Sequence, residues 1–379
     1  MKTYYTKENL TPDVNCSLKP PVILERTGED NRDYSRHYRR WQSAPCVVCT
    51  PKGRLICTFS GDNSTDAWEC PNNYNQISYS DNGKDWHYEE FVIDHEDSVR
   101  MHEPILWFDP NGRLWHFWSQ SYEWWDGRGG VWGMYTDDPD AEKIVWSEPK
   151  RLCDGVMATP PIAYSATKWL YPVSIWKYYK DERPSRIAEL EKSNVYVSED
   201  GGKTLTYLSS VYEPDTTFDE NTLAKRPDGS LLMTMRCLHK ISYSESFDEG
   251  KTWTEPQKLM DHASARAYLA TLPSGNLVLV TNDHFAYRRD MTAFLSEDGG
   301  KTWKYKLLLD PRQETSYPAG HVLADGKIYV AYDYNRTTNR EVVWACFTED
   351  DIRNGNKDIA KGCVSKAGSK LDDSKFARY

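Results

Sequence analysis

The sequence predicts an all-β protein, a β-propeller of six four-stranded blades, and three observations carry that prediction. The turn SEDGGKTW (296–303) nearly recurs as SEDGGKTL (198–205) and SFDEGKTW (246–253), with a weaker copy, YSDNGKDW, at 79–86. Six apolar hairpins, each folded about a corner such as PKG or PDG, keep one register with those turns. Helical character is confined to DERPSRIAELEK (181–192), a charged stretch that reads as a solvated loop excursion.

The boxed turns come first because they set the period. Their third letters, Asp81, Asp200, Asp248 and Asp298, lie 119, 48 and 50 residues apart. The long gap is divided by a worn copy, MYTDDPDAEKIVW (134–146), around Asp138, and FTEDDI adds a sixth marker at Asp350. A repeat of about 50 to 60 residues indicates a propeller or another repeat architecture. The box itself reads as structural: Ser and Asp bond turn backbone, Gly relieves the corner, and Trp plugs a blade.

The hairpins follow: 43–59, 102–118, 158–176, 219–236, 265–282 and 316–333. Their corners fall at Gly53, Gly112, Lys168, Gly229, Gly275 and Gly326, and five Gly in six suits a position that needs positive φ. Eight residues earlier stand Pro45, Pro104, Pro160, Asn221, Ala267 and Pro318, in keeping with Pro at a strand's start. No domain boundary or low-complexity linker interrupts the series, so residues 1–379 are expected to form one propeller. Residues 1–40 are expected to supply the strand that completes the last blade.

Composition excludes several classes of function. With Lys+Arg 47 against Asp+Glu 57, the net charge of −10 argues against nucleic acid, because phosphate neutralisation needs clustered cations. No apolar run is long enough to cross a membrane, and the first residues have no signal-peptide core; the expectation is a cytoplasmic protein, or a secreted one whose leader was removed. The nine Cys do not form a disulfide framework, and Cys46 and Cys49 sit in a strand that turns them to opposite faces, so no metal or other cofactor is expected. The 15 Trp and 25 Tyr suit either blade packing or sugar binding.

Equivalent positions at the start of each inner strand face one shared funnel. Nine residues before the corners stand Ala44, Glu103, Thr159, Glu220, Arg266 and Tyr317. Charged groups in a crowded centre need partners or a ligand.

These residues resemble the sialidase (neuraminidase) superfamily of Asp-box, or BNR-repeat, propellers, across nearly the whole chain. That family's Glu followed sixteen residues later by Arg is similar to Glu220 and Arg236. Its Arg eight residues before a box Ser is similar to Arg288, and its Tyr followed sixteen residues on by an acidic residue is similar to Tyr317 and Asp333. The resemblance implies an exo-acting glycoside hydrolase that releases a terminal acidic sugar, sialic acid or a related keto-deoxy acid, with retention through a Tyr nucleophile. Tyr317 would attack, deprotonated by Glu220 within hydrogen-bond reach, while Arg236 and Arg288 clamp the substrate carboxylate and Asp333 buttresses an arginine. Asp66, or its neighbour Glu69, would serve as general acid.

The chain departs from the family at Ser43-Ala44-Pro45, where the first clamp arginine is absent. Arg266 is the favoured substitute, ahead of Arg39 or Arg40, and His102 and Glu103 add groups that suit a different acidic sugar. Two other readings stay open: a polysaccharide lyase or another glycosidase acting on uronate- or rhamnose-containing glycans, and a carbohydrate-binding propeller without catalysis. Oligomeric state is not legible in the sequence.

Overall fold

A computed structural model describes residues 2–125, 129–176 and 188–371. Nearly all of the regular secondary structure among the described residues is strand, and six antiparallel sheets form the blades of a propeller. Among the inner strands, Trp41–Cys49 touches Val99–Phe108, and Ile162–Ala163, Thr216–Lys225, Tyr268–Thr271 and Thr315–Val322 touch in sequence, the last returning to Trp41–Cys49. A helix of six residues, Glu349–Asn354, is the one α-helix among them. The stretch 181–187 of the predicted excursion lies outside the described residues, and Ala188–Leu190 forms a single 3₁₀ turn.

Local chemistry explains the repetition. The hairpin corners Gly53, Gly112, Gly229, Gly275 and Gly326 adopt φ of +91°, +84°, +86°, +88° and +88°, a region costly for residues with a Cβ. In the boxes, Ser198, Ser246 and Ser296 each donate to the box Asp at 2.8–2.9 Å and accept from a glycine N–H four residues on. Hydrogen bonds from Thr204 and Thr252 hold the Asp200 and Asp248 carboxyls at about 2, as permanent acceptors rather than proton carriers. The box tryptophans enter the seams between blades: Trp86 joins the cluster of blades one and six, and Trp303 packs on that of blades four and five.

Three expectations need correction. In the first box the turn is held by Asn82, which accepts from Lys84 N and Asp85 N, because this copy is one residue shorter; Asp81 pairs with Arg54 instead. The sixth marker, Asp350, lies on the helix, whose capping box of Thr348 and Asp351 replaces the boxed turn. The last blade is completed from the other end of the chain, by Ala360–Lys366 paired with Glu341–Phe347. Val22–Glu25 pairs with His87–Asp94 as a fifth, outer strand of blade one.

Every sheet is therefore built from consecutive strands, and side chains close the ring. Asp333 of blade six accepts from Ser43 Oγ at 2.6 Å and Ala44 N at 3.2 Å, both on blade one. Gln42 of blade one donates its N–H to Arg336 O and its amide to Arg340 O and Ser365 O.

Candidate active site

The site is built by bulges. The inner strands of blades one, two and six lose register between Ser43 and Cys46, His102 and Ile105, and Ser316 and Ala319. Within these breaks Ala44, Glu103 and Tyr317 take φ of +54°, +51° and +54°. A proline follows each of them, placed where the broken ladder asks for no N–H. A non-glycine residue in this conformation costs about 1–3 kcal/mol, and here the bulge re-aims a side chain from the pleat toward the axis.

Tyr317 is buried where four arginines meet. The guanidinium carbons of Arg336, Arg288 and Arg266 lie 4.8, 4.9 and 5.0 Å from its ring centre, and Arg236 adjoins its hydroxyl. Burial pushes the phenol up, but the charges of Arg288, Arg236 and Arg336 outweigh it and hold the hydroxyl below its ordinary value. That environment favours an oxyanion on Tyr317.

Glu220 meets Arg236 rather than Tyr317. Arg236 Nη1 donates to Glu220 Oε2 at 2.9 Å, and among the described residues no direct hydrogen bond joins Glu220 to Tyr317. The cause is strand register: Asn221 faces Met235 across the hairpin, so the sixteen-residue spacing sets Arg236 against Glu220. Arg236 thus stands between the expected base and nucleophile.

A third arginine beside Tyr317, besides Arg236 and Arg288, is Arg336, from the last blade. Its backbone lies against Gln42 at the start of blade one, beside Ala44, and its Nη1 reaches Glu69 Oε1 at 3.1 Å. Arg266, the favoured substitute, lies beneath the Tyr317 ring but donates to the Glu103 carboxylate in a buried ion pair. Burial raises the Glu103 carboxyl, opposed by Arg266 and reinforced by Glu220. Arg39 is fully buried and engaged by Glu89, Tyr74 and Gln42, so it holds blade one together and does not reach the site. Arg40 is half-buried, its N–H donated to Asp62 O.

Asp333 faces Arg336 electrostatically, yet its hydrogen bonds go to Ser43, Ala44 and Ser316. It fixes the strand that carries Tyr317. Of the two acid candidates, Asp66 is exposed, whereas Glu69 enters the arginine cluster, 3.4 Å from Arg100 and 3.1 Å from Arg336. Despite burial, the Arg100, Arg336, Arg236 and Arg288 charges hold the Glu69 carboxyl below its usual range. His102 points to Ser121 and Trp176, and burial pushes it well below the usual imidazole value, so it stays neutral.

Three residues of the site were not legible as motifs. Arg336 follows the last matched residue, Asp333, by three positions in a connecting loop. Arg100, whose guanidinium lies 5.3 and 5.9 Å from the rings of Trp124 and Trp176, precedes Glu103 by three; a charge in an apolar strand was its only signal. Ser264 has no sequence signal, yet it holds two of the arginines. Its carbonyl accepts from Arg288 Nε and Nη2 at 3.1 and 2.8 Å, and its hydroxyl accepts from Arg236 Nε at 3.0 Å. If the funnel turns over an acidic ketoside, Ser264→Ala is expected to leave Arg288 in place and remove one of the hydrogen bonds that hold Arg236, the Glu220 pair remaining, lowering kcat/KM by up to about tenfold, as the loss of one charge-assisted hydrogen bond implies. Steady-state kinetics check this, with an unchanged melting temperature as the control.

Counted as ionised, Arg100, Arg236, Arg266, Arg288 and Arg336 face Glu69, Glu103, Glu220 and Asp333, five positive charges against four negative.

Comparison with known proteins agrees with this picture. The family model described as a BNR repeat-like domain matches residues 76–330. No curated protein matches the sequence. Among solved structures, a Hadza microbial sialidase is 19% identical with a TM-score of 0.68, over 84% of this chain and 68% of that one. The intramolecular trans-sialidase from Ruminococcus gnavus is 15% identical with a TM-score of 0.60, over 88% and 98%. An α-L-arabinanase from Penicillium chrysogenum is also 15% identical, with a TM-score of 0.59 over 88% and 99%. At these identities the likeness is one of fold.

Proposed function

From a chain that belongs to the BNR repeat-like family and carries this arginine-lined funnel, we propose an exo-acting glycoside hydrolase of sialidase type that releases a terminal acidic sugar. The observation that carries the reading is Tyr317 buried against Arg236, Arg288 and Arg336, with its hydroxyl held below its ordinary value. A ketoside whose anomeric carbon bears a carboxylate repels an anionic carboxylate nucleophile, whereas a tyrosine approaches neutral and attacks as its proton leaves.

In this reading Arg236, Arg288 and Arg336 receive the substrate carboxylate, since planar guanidinium groups match it geometrically and stay charged. Glu220, ion-paired with Arg236 beside the Tyr317 hydroxyl, is the carboxylate that would receive the Tyr317 proton, directly, once that pair opens. Asp66 and Glu69, on the loop over the funnel, are the groups available to protonate the leaving oxygen.

Purified protein assayed on aryl ketosides of acidic sugars tests the proposal. Turnover that releases the aryl group, without a new ultraviolet-absorbing double bond, is the expected result. Unsaturated products from an acidic polysaccharide would favour a lyase, and no turnover on either would favour a binding protein.

A further inference from the structure

We propose that Glu69 occupies the carboxylate cradle of the free protein and that an acidic sugar binds by displacing it. This inference rests on the proposed function for the identity of the ligand, and on the geometry of Glu69 for the displacement itself.

Glu69 lies on the loop joining Leu55–Asp62 to Tyr74–Ser80, while every arginine it faces belongs to another blade. Its two carboxylate oxygens divide between Arg336 Nη1, at 3.1 Å, and Arg100 Nη2, at 3.4 Å. Arg236 and Arg288 act on the same carboxylate. Three of these, Arg336, Arg236 and Arg288, converge on Tyr317, so Glu69 and a substrate carboxylate compete for the same positive field. Two carboxylates at one such site repel each other, and only one of them can be held well.

The structure gives Glu69 both a handle and a place to go. Its side chain is 22% exposed, and it lines a cleft of about 700 Å³ together with Trp124 and the charged groups Lys7, Glu8, Asp66 and Glu123. Retreat into that cleft carries the carboxyl out of the arginine field. There it returns toward the ordinary carboxyl range and takes up a proton more readily. Its neighbour Trp68 is 54% exposed and lies 6.0 Å from the Arg336 guanidinium, so movement of the loop changes that indole's surroundings.

The experiment titrates the full chain with free N-acetylneuraminic acid and follows tryptophan fluorescence and calorimetry. Glu69→Gln, which keeps the side chain's shape without its charge, is expected to bind about tenfold more tightly than the wild type, because the resident competitor is gone. Wild-type affinity is also expected to rise as pH falls, since protonating Glu69 empties the cradle, while the Glu69→Gln variant shows a flatter profile. Equal or weaker binding by Glu69→Gln, or identical pH profiles, overturns the proposal; Glu69→Asp, which keeps the charge, controls for damage to the loop. If neither protein binds this acid, the same comparison is made with pyruvate. Tighter binding of pyruvate alone upholds displacement while removing the sugar reading, and no binding of either acid overturns both.

Discussion

Tyr317→Phe is expected to abolish turnover of an acidic aryl ketoside, lowering kcat on the order of 10³-fold or more, because a phenyl ring cannot form a covalent intermediate. The effect should be confined to chemistry. The ring remains to pack beneath Arg266, Arg288 and Arg336, and only the hydroxyl's contacts with Arg236 and Arg336 are lost, so KM should change far less than kcat and the melting temperature should stay close to wild type. Rapid-mixing kinetics sharpen the measurement: a burst of aryl product in the wild type and none in the variant places the defect at formation of the intermediate. A loss of less than about tenfold would remove Tyr317 from the role of nucleophile.

Arg266→Met is expected to act mainly on stability. Arg266 is 2% exposed and its partner Glu103 is nearly as buried, so removing the guanidinium strands a carboxylate at the propeller axis. Breaking a buried pair in this way costs about 3–5 kcal/mol, whereas replacing both members with apolar residues is often close to neutral. The double variant Arg266→Met/Glu103→Leu should therefore recover most of the loss, as chemical denaturation can measure. The pH dependence has a definite sign. Glu103 already has a raised folded-state pKa, and without Arg266 it rises further, so the deficit should be largest near neutral pH. It should shrink on acidification as the carboxyl takes up its proton. An Arg266→Met protein as stable as wild type would show that the pair contributes nothing net.

Local and periodic features were legible in the sequence, and features depending on blade-to-blade contact were not. Five glycine corners and three Ser–Asp boxes could be read because each is decided within eight residues by backbone sterics and short hydrogen bonds. The funnel positions could be read because equivalent places in a repeat become neighbours once the ring closes. Arg336 could not, because it lies in a loop outside the repeated positions and is set by a blade-to-blade contact, the Gln42 N–H of blade one on its carbonyl. The pairing of Arg266 with Glu103 was hidden for the same reason, with the two on different blades. The strand Ala360–Lys366, AKGCVSK, has neither alternation nor β-branched richness, so only its tertiary partner defines it.

Ring closure without a shared strand also bears on how the chain can be recut. Because each sheet is finished by its own consecutive strands, new termini placed in a connection between blades would divide no sheet, and circular permutants should fold wherever such a connection is exposed. The side-chain seam made by Gln42, Ser43 and Asp333 would then be an internal junction bridged by covalent chain. A permutant of this kind should tolerate loss of the Asp333 latch better than the given order does, since its first and last blades would be joined by chain as well as by side chains.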